Sequence, residues 1–521
     1  MRRHQNPRGR RNVDPNKRFY ITTAIDYANG SPHLGHAVEK IGADVTARYH
    51  RRKGEQVHFV IGMDEHGLKV LQSADAAGVS PQAWVDGIAQ EFEEAWEALS
   101  ISHDDFIRTT EERHSRGVRE LIRRIDASGD LYQGTYSGYY CVGCEGYKAE
   151  DELVQDEGKE AHCPVHPSLD IQWMEEENWF FRLSAYTKPL LKLLEERPEF
   201  IQPEIRRNEI RKVLEGGLED ISVSRSRLPW GVPWPNDPDH IVYVWLDALT
   251  NYLTAVGFPD EDYRESWPAD VHVIGKDITR FHCIYWPAFL MSAGVELPKT
   301  VWAHGFVTYG GRKLSKSDGV TFELQEAIER YGPDALRYYL LREVPWNGDG
   351  AITRERFDER YTAELANDLG NLGSRALSML EKYRGGAIPS AGPRSLDEAC
   401  QRAVKKYEEV MDAGLLHQGI ATAMELVSLA NGFIERQAPW SLAKDPAGGP
   451  ELDATLASLA RALLVAATLL HPFMPERMAE LTRRLGVSAV PTLEEALVLD
   501  LAGRTVARGD PLFPRPDLLS S

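Results

Sequence analysis

Two histidines and two lysines are the residues whose types and spacing most suggest chemistry. The histidines stand in Asn29-Gly30-Ser31-Pro32-His33-Leu34-Gly35-His36, and the lysines in Lys313-Leu314-Ser315-Lys316-Ser317. Imidazoles can donate hydrogen bonds to phosphoryl oxygens, and lysines can neutralise a departing pyrophosphate. Gly30 and Gly35 would admit a nucleotide close to the backbone. A helix beginning near Gly35 would aim backbone N–H groups and a positive dipole end at the same anion. Ser315 and Ser317 could hydrogen-bond beside the lysines, and Tyr309-Gly310-Gly311-Arg312 gives that loop a hairpin-like approach suited to closure. Alone, each motif reads as an ordinary turn or surface loop. Together and in this order they predict a site that holds ATP, with Mg²⁺, while its α-phosphate is attacked.

Such residues need a scaffold that brings them together. Residues 19–24 read as a strand, 35–52 as a helix with Val38, Ile41, Val45 and Tyr49 on one face, and 57–62 as a second, buried strand. Strand, helix and strand with short links make a βαβ unit and imply a parallel sheet. Ligands of such sheets bind at the carboxyl ends of the strands, where His33, His36 and Asp64 fall. Further strands of this sheet are expected at 241–245, 271–274 and 300–303, with helices after the first two. Between the halves lies a loop-rich insertion. After about residue 352 strand signals vanish, and helical periodicity dominates at 355–383, 396–411, 419–437 and 452–470.

The expected fold class is therefore α/β. A Rossmann-like parallel-sheet catalytic domain carries a zinc-knuckle insertion and is followed by an all-α helical bundle. The expected divisions are a basic tail at 1–17, catalytic halves at 18–130 and 176–352, the insertion at 131–175 and the helical domain at 353–521.

The insertion contains Cys141-Val142-Gly143-Cys144 and Cys163-Pro164-Val165-His166. This spacing suits a tetrahedral zinc ion held by three thiolates and one imidazole. With no open position the metal would be structural and would supply folding energy to a segment with little core. His162 is a rival fourth ligand, and a cysteine pair that never meets metal is the alternative. In the helical part, Asn371 and Arg375 share a helix face at i, i+4, and Pro439-Trp440 follows another helix. Trp440 could stack on an unpaired base while Asn371 and Arg375 reach base edges; helix packing and a solvated face are the alternatives.

His-Leu-Gly-His and Lys-Leu-Ser-Lys-Ser resemble the two hallmark motifs of class I aminoacyl-tRNA synthetases. The wider context resembles the methionyl-tRNA synthetase family over nearly the whole chain. It includes Tyr27-Ala28-Asn29-Gly30-Ser31, Asp64-Glu65-His66-Gly67, Tyr243-Val244-Trp245-Leu246-Asp247-Ala248, Ile274-Gly275-Lys276-Asp277-Ile278, His304-Gly305-Phe306 and Ala438-Pro439-Trp440. The resemblance implies ATP, methionine and tRNA(Met) as partners, with a methionyl-adenylate intermediate. It places Asn29, Gly30, His33, Gly35, His36, Gly305, Lys313, Ser315 and Lys316 at ATP. It places Ala24, Ile25 and Tyr27 on one side of the methionine site, and Trp245, Ala248, Leu249, Tyr252, Ile278 and His282 on the other.

A thioether suits aromatic walls, so Tyr27, Trp245, Tyr252 and His282 fit by type, and Asp64 is the expected ammonium partner. Spacing alone would leave Trp245 and Tyr252 as core aromatics. By the same resemblance Asn371, Arg375, Pro439 and Trp440 read the anticodon. The chain departs from the family at Asp26 and Leu249, where proline is frequent, and at His166, where the knuckle is commonly all cysteine. No large editing domain fits in the insertion, so homocysteine is an expected near-miss substrate. The rival readings are a related class I synthetase or nucleotidyltransferase activating another small acid, and a non-catalytic tRNA-binding relative.

Size and composition set the outer bounds. The 521 residues carry a hydrophobic fraction of 42%, a formal net charge of -19 and five cysteines. That charge argues against a protein that coats DNA or RNA over its whole surface. Few cysteines for the length argue against a disulfide scaffold. No uninterrupted apolar run reaches the ~20 residues of a membrane span. The arginine-rich start lacks a signal-peptide core and reads as a solvated tail, with local contact to nucleic acid as the alternative. These features predict a cytosolic protein with no DNA or membrane partner. The short stretch after the helical domain leaves no room for a further dimer-forming domain, so a monomer is expected.

Overall fold

A computed structural model describes residues 14–141, 146–148, 152–155, 161–165, 171–226, 228–310, 312–313, 322–390 and 395–514. Cys144, His166, Ser315, Lys316, Ser317 and the first part of the basic tail lie outside the described residues. Lys313 is described by its backbone alone.

The α/β body is built on a seven-stranded parallel sheet. Asp14–Thr23 lies at its centre and pairs with Glu55–Asp64 on one side and Val271–Gly275 on the other. Outside these run Asp105–Arg108, against Glu55–Asp64, and then Thr300–His304 and Ile201–Gln202 beyond Val271–Gly275. The short strand Asp26–Tyr27 continues beside the end of Glu55–Asp64. The chain thus leaves the central strand in one direction along the sheet and later returns on its other side. Between Asp14–Thr23 and Val271–Gly275 lies the topological switch point, where ligands of open parallel sheets bind. The strand starts at Asp14, so the expected tail ends earlier than residue 17.

One expected strand of this sheet is corrected. Residues 241–245 do not join it. Asp237–Val242 is antiparallel to Ser224–Arg225 and Pro233–Trp234 in a separate three-stranded sheet, and Trp245 opens the helix Val244–Leu249. The apolar run Val242 to Trp245 straddles a strand end and a helix start, which a short periodicity window cannot separate. The insertion is also less irregular than its composition implied. Leu131–Cys141 and Ile171–Phe181 pair antiparallel along their whole length, with Gly146–Lys148 on the outer edge.

The helical part begins at Arg354–Arg360 and continues through a wide π turn, Tyr361–Gly370, into Asn371–Arg384. Asp397–Asp412, Leu416–Gln437 and Gly449–Leu470 pack on it. Gly449–Leu470 is long and apolar enough to cross a membrane by length and composition, and its side chains are buried within the bundle. One apolar cluster runs without a break from Val38, Ile41 and Val45 of the first helix into this bundle. Arg337 seals the joint: its guanidinium donates to Asp44 Oδ2 at 2.6 Å and to the carbonyls of Leu99, Pro472 and Phe473.

Candidate active site

The helix Leu34–Arg52 starts at His33, whose extended backbone makes it the N-cap. His33 Nδ1 accepts from the N–H of Gly35 at 3.1 Å and of His36 at 3.4 Å, while His36 Nδ1 accepts from the N–H of His33 at 3.3 Å. This reciprocal capping box has two consequences. The amides of Gly35 and His36, expected to face phosphate, are taken up by the His33 ring. An imidazole that accepts at Nδ1 carries its proton on Nε2, so each ring can donate from that atom. The rings stack at 3.8 Å. Burial, with the neighbouring His33, holds His36 well below its ordinary pKa, so it acts as a neutral donor rather than a cation.

The glycines divide. A Cβ at Gly30 would meet open space, as close approach of a ligand requires. A Cβ at Gly35 would lie 2.9 Å from His33 Cε1, so this glycine makes room for the imidazole cap. At Gly305 a Cβ would overlap the Gly348 carbonyl, which gives that glycine a packing reason independent of ATP. Asn29 is exposed, and its N–H donates to the Tyr27 carbonyl at 2.8 Å.

Of the two flanks expected for methionine, Ala24 and Ile25 meet the Trp245 side across the switch point, whereas Tyr27 packs against the other apolar cluster. Ala24 and Ile25 follow the central strand, and Ile278 follows its neighbour Val271–Gly275. Ala24, Ile25, Trp245, Ile278 and Phe281 are all partly buried against one apolar cluster that contains Leu249, Leu253 and Tyr252. Ala248 and Leu249 are buried on the Trp245 helix. Trp245 stacks on Phe281 at 3.7 Å and meets His282 edge-on at 6.2 Å. Tyr27 lines up with Asp64 in the short parallel pair, and Asp64 accepts the Ala28 N–H through its carbonyl at 2.9 Å.

His282 sits in a π turn, Phe281–Tyr285, a local widening often found at functional sites. Its Nδ1–H donates to the Ile278 carbonyl at 3.0 Å, and Nε2 accepts from the Tyr252 hydroxyl at 2.7 Å. Burial pushes the imidazole down to about 4 and raises the Tyr252 phenol well above its usual range. His282 and Tyr252 thus form a neutral, hydrogen-bonded pair behind Trp245.

Sequence reasoning missed the charged residues that tie the two flanks together. Asp247 takes His66 Nδ1 on one oxygen at 2.6 Å and His114 Nε2 on the other at 2.8 Å. Burial alone would raise its carboxyl, yet the two histidines hold it at about 2. His66 lies on the loop after Asp64, and Asp247 lies two residues beyond Trp245, so this bridge ties both flanks of the pocket. The quoted motifs contained both residues; the only signal of their contact was a carboxylate set among core residues. Lys40, Glu39 and His304 form a second such cluster.

Of the expected zinc ligands, Cys141 and Cys163 are described and both are buried, as thiolates of a closed site would be. His162 forms a backbone bridge with Val154. Among the described residues no cluster of three or more metal-binding side chains is present.

In the bundle, Arg375 and Trp440 do come together. With Ser374, Ser378, Met379 and Tyr383 they line one open groove. Asn371 is exposed one turn before Arg375, and Pro439 is buried at the start of Trp440's helix. Ala438 turns the chain there with φ of 43°, a left-handed conformation costly for a residue with a Cβ. The three groove residues besides Tyr383 that sequence reasoning missed are small or flexible, types that carry no message of their own.

A family model described as class I tRNA synthetases (M) matches residues 19–377. The methionine–tRNA ligase of Brucella suis is 44% identical over 514 residues, covering 96% of this chain and 98% of that protein. That of Thermotoga maritima is 43% identical, covering 96% of this chain and 80% of the relative. The methionyl-tRNA synthetase of Mycobacterium tuberculosis, solved in complex with methionyl-adenylate, superposes with a TM-score of 0.91 at 42% identity, over 96% of this chain and all of that one. The free form of the same enzyme gives a TM-score of 0.85. On this similarity over nearly its full length, the chain belongs to the class I aminoacyl-tRNA synthetases of the methionyl type.

Proposed function

We propose that this protein joins methionine to tRNA(Met) in two steps, using ATP. The methionine carboxylate attacks the α-phosphorus of ATP, giving methionyl-adenylate and pyrophosphate. The terminal adenosine of the tRNA then attacks the acyl carbon, through its 2′-hydroxyl as the class resemblance implies, and AMP leaves. The observation that carries this reading is the meeting of two groups of residues at the switch point. The capped His33–His36 pair and the Ala24–Ile25 wall follow the central strand, and Ile278 and the His282 turn follow its neighbour.

In this reading Nε2–H of His33 and His36 donates to phosphoryl oxygens as phosphorus becomes five-coordinate, and Lys313 and Lys316 neutralise the departing pyrophosphate. Asn29, Gly30 and Ser315 complete the ATP contacts, and Mg²⁺ accompanies the triphosphate. Asp64 takes the methionine ammonium, and Trp245, Tyr27, Tyr252 and His282 surround the thioether. Trp440, Arg375 and Asn371 receive anticodon bases on the open groove. One zinc ion, held by Cys141, Cys144, Cys163 and His166, organises the insertion; the burial of both described thiols supports it. The enzyme works as a cytosolic monomer.

Pyrophosphate exchange with each of the twenty amino acids tests the first step, and charging of tRNA(Met) the second. Exchange driven by methionine far above all others is expected. Exchange driven by another amino acid, or by none, overturns the assignment.

A further inference from the structure

Behind the Ala24–Tyr27 wall sits a lysine with no exposed side-chain surface. Lys40 lies one turn beyond His36, on the same helix. Its ammonium donates to the Ala24 carbonyl at 2.9 Å, to Asp26 Oδ1 at 2.9 Å and to Glu39 Oε1 at 2.8 Å. Those three bonds use every N–H that an ammonium has. The lysine therefore grips the wall twice, at a main-chain oxygen and at a side chain two residues on. It grips it from the helix that presents His33 and His36.

The cluster extends further. Glu39 Oε2 lies 3.2 Å from His304 Nε2, and the His304 ring stacks on Trp346 at 5.2 Å. Trp346 in turn packs against Gly42, where a Cβ would overlap its ring. Asp26 and Glu39 are both buried. One ammonium thus faces two carboxylates in a dry site. Burial, with Glu39 adding, pushes the Asp26 carboxyl up to about 7 against the pull of Lys40. Lys40 and His304 hold Glu39 below its ordinary value in spite of burial. Asp26 Oδ2 has no hydrogen-bond partner among the described residues, so Lys40 is the group that makes a carboxylate tolerable at this position.

We propose that Lys40 is a positioning residue of the amino-acid site, with Asp26 as its counter-charge. The pair locks the Ala24–Tyr27 wall to the histidine helix and so sets methionine affinity without touching substrate. The inference rests on the methionine reading of the pocket given above. Without the ammonium, Asp26 takes a proton and loses its hold on the helix, and the Ala24 carbonyl loses its donor, so the wall moves off the helix while the His33–His36 cap stays intact.

Pyrophosphate exchange by the full chain tests it, with methionine and ATP varied separately and active sites titrated. Lys40→Met keeps the length and removes the charge. Its methionine KM should rise about tenfold, with ATP KM within about twofold and kcat per active site little changed. Asp26→Asn, which leaves Lys40 bonded to Ala24 and Glu39, should raise methionine KM about threefold. The double variant should match Lys40→Met in methionine KM within about twofold, because without the ammonium Asp26 is already uncharged and the two substitutions remove the same tie.

A purely structural lysine would lower the number of active sites and leave methionine KM alone. Methionine KM within about twofold of wild type in folded Lys40→Met, or equal rises for methionine and ATP, overturns the proposal. If Lys40→Met does not fold, Asp26→Asn decides, and an unchanged methionine KM there overturns it. A wild-type enzyme that does not activate methionine sinks the reading of the pocket itself; an active wild type with unaltered variants sinks only the role of Lys40.

Discussion

Arg337 and Arg375 each hold a carboxylate at 2.6 Å, and the equal distance hides opposite situations. Arg337 and Asp44 have no exposed side-chain surface, whereas Arg375 and Glu435 are 38% and 62% exposed. Arg337 also donates to the carbonyls of Leu99, Pro472 and Phe473, so its charge is met on several sides in a dry joint. Arg375 borders an open groove beside Trp440. A desolvated pair cannot lose one member cheaply, while an exposed pair trades its partner for water or another anion with little change. The first pins the histidine helix to the bundle. The second leaves a guanidinium that an RNA base or phosphate can take over.

The largest effect should come from breaking the buried side of this comparison. Arg337→Met strands Asp44 with only its Arg48 and Ser102 partners and is expected to cost about 3–5 kcal/mol, seen as a clear fall in thermal midpoint. Asp44→Asn added to Arg337→Met should recover part of it. A midpoint unchanged in Arg337→Met would mean that the joint is held by apolar packing alone.

The buried pair His282 and Tyr252 belongs to the same dry class, and acid should reveal it. His282 is pushed down to about 4, whereas in the unfolded chain it titrates near 6.5. The folded state therefore resists taking this proton. The stability that the group contributes is complete above pH 6.5 and is lost as the pH falls towards 4. That window corresponds to about 3 kcal/mol. His282→Gln cannot titrate, so the gap in thermal midpoint between wild type and variant should narrow steadily from pH 6.5 to 4. A constant gap across that range would show that the imidazole is not held neutral by burial.

Part of this contrast could be read from sequence and part could not. The histidine motif, the helix after it and the strand ending at Asp64 follow from patterns local to ten or twenty residues, which repeat the period of the element they form. Trp440 and Arg375 share a groove, as the family resemblance implied; periodicity could not show it, because Trp440 stands on the four-residue helix Pro439–Leu442. What stayed illegible was contact between distant charged residues. Asp247 with His66 and His114, Lys40 with Asp26, and Arg337 with Asp44 are ordinary charged letters in the sequence. Their burial depends on helices enclosed on all sides, as Leu34–Arg52 is, where Glu39, Lys40 and Asp44 are as hidden as Val38 and Ile41. The misplaced strand at 241–245 failed for a related reason: an apolar run looks the same whether it ends a strand or begins a helix.

The open side of the comparison predicts a separation of the two reaction steps. Trp440 is 40% exposed, so Trp440→Ala removes little packing. Pyrophosphate exchange should stay near wild type, while kcat/KM for tRNA charging falls about tenfold or more, the range of one lost base–aromatic stack. Equal losses in both assays would make Trp440 a packing residue. Unchanged charging would remove the groove from the RNA-binding surface.

The smallest expected effect gives the sharpest form of the contrast. Glu435→Gln keeps the shape of its side chain and frees Arg375 from an exposed partner. Stability should change by less than about 0.5 kcal/mol, against several for Arg337→Met. Because the released guanidinium no longer shares its charge, the KM for tRNA should fall about twofold at low salt, and the gain should vanish at about 0.5 M salt as screening takes over. A stability loss close to that of Arg337→Met would erase the distinction between the two pairs. A tRNA KM that does not move at low salt would show that Arg375 faces the groove without meeting RNA.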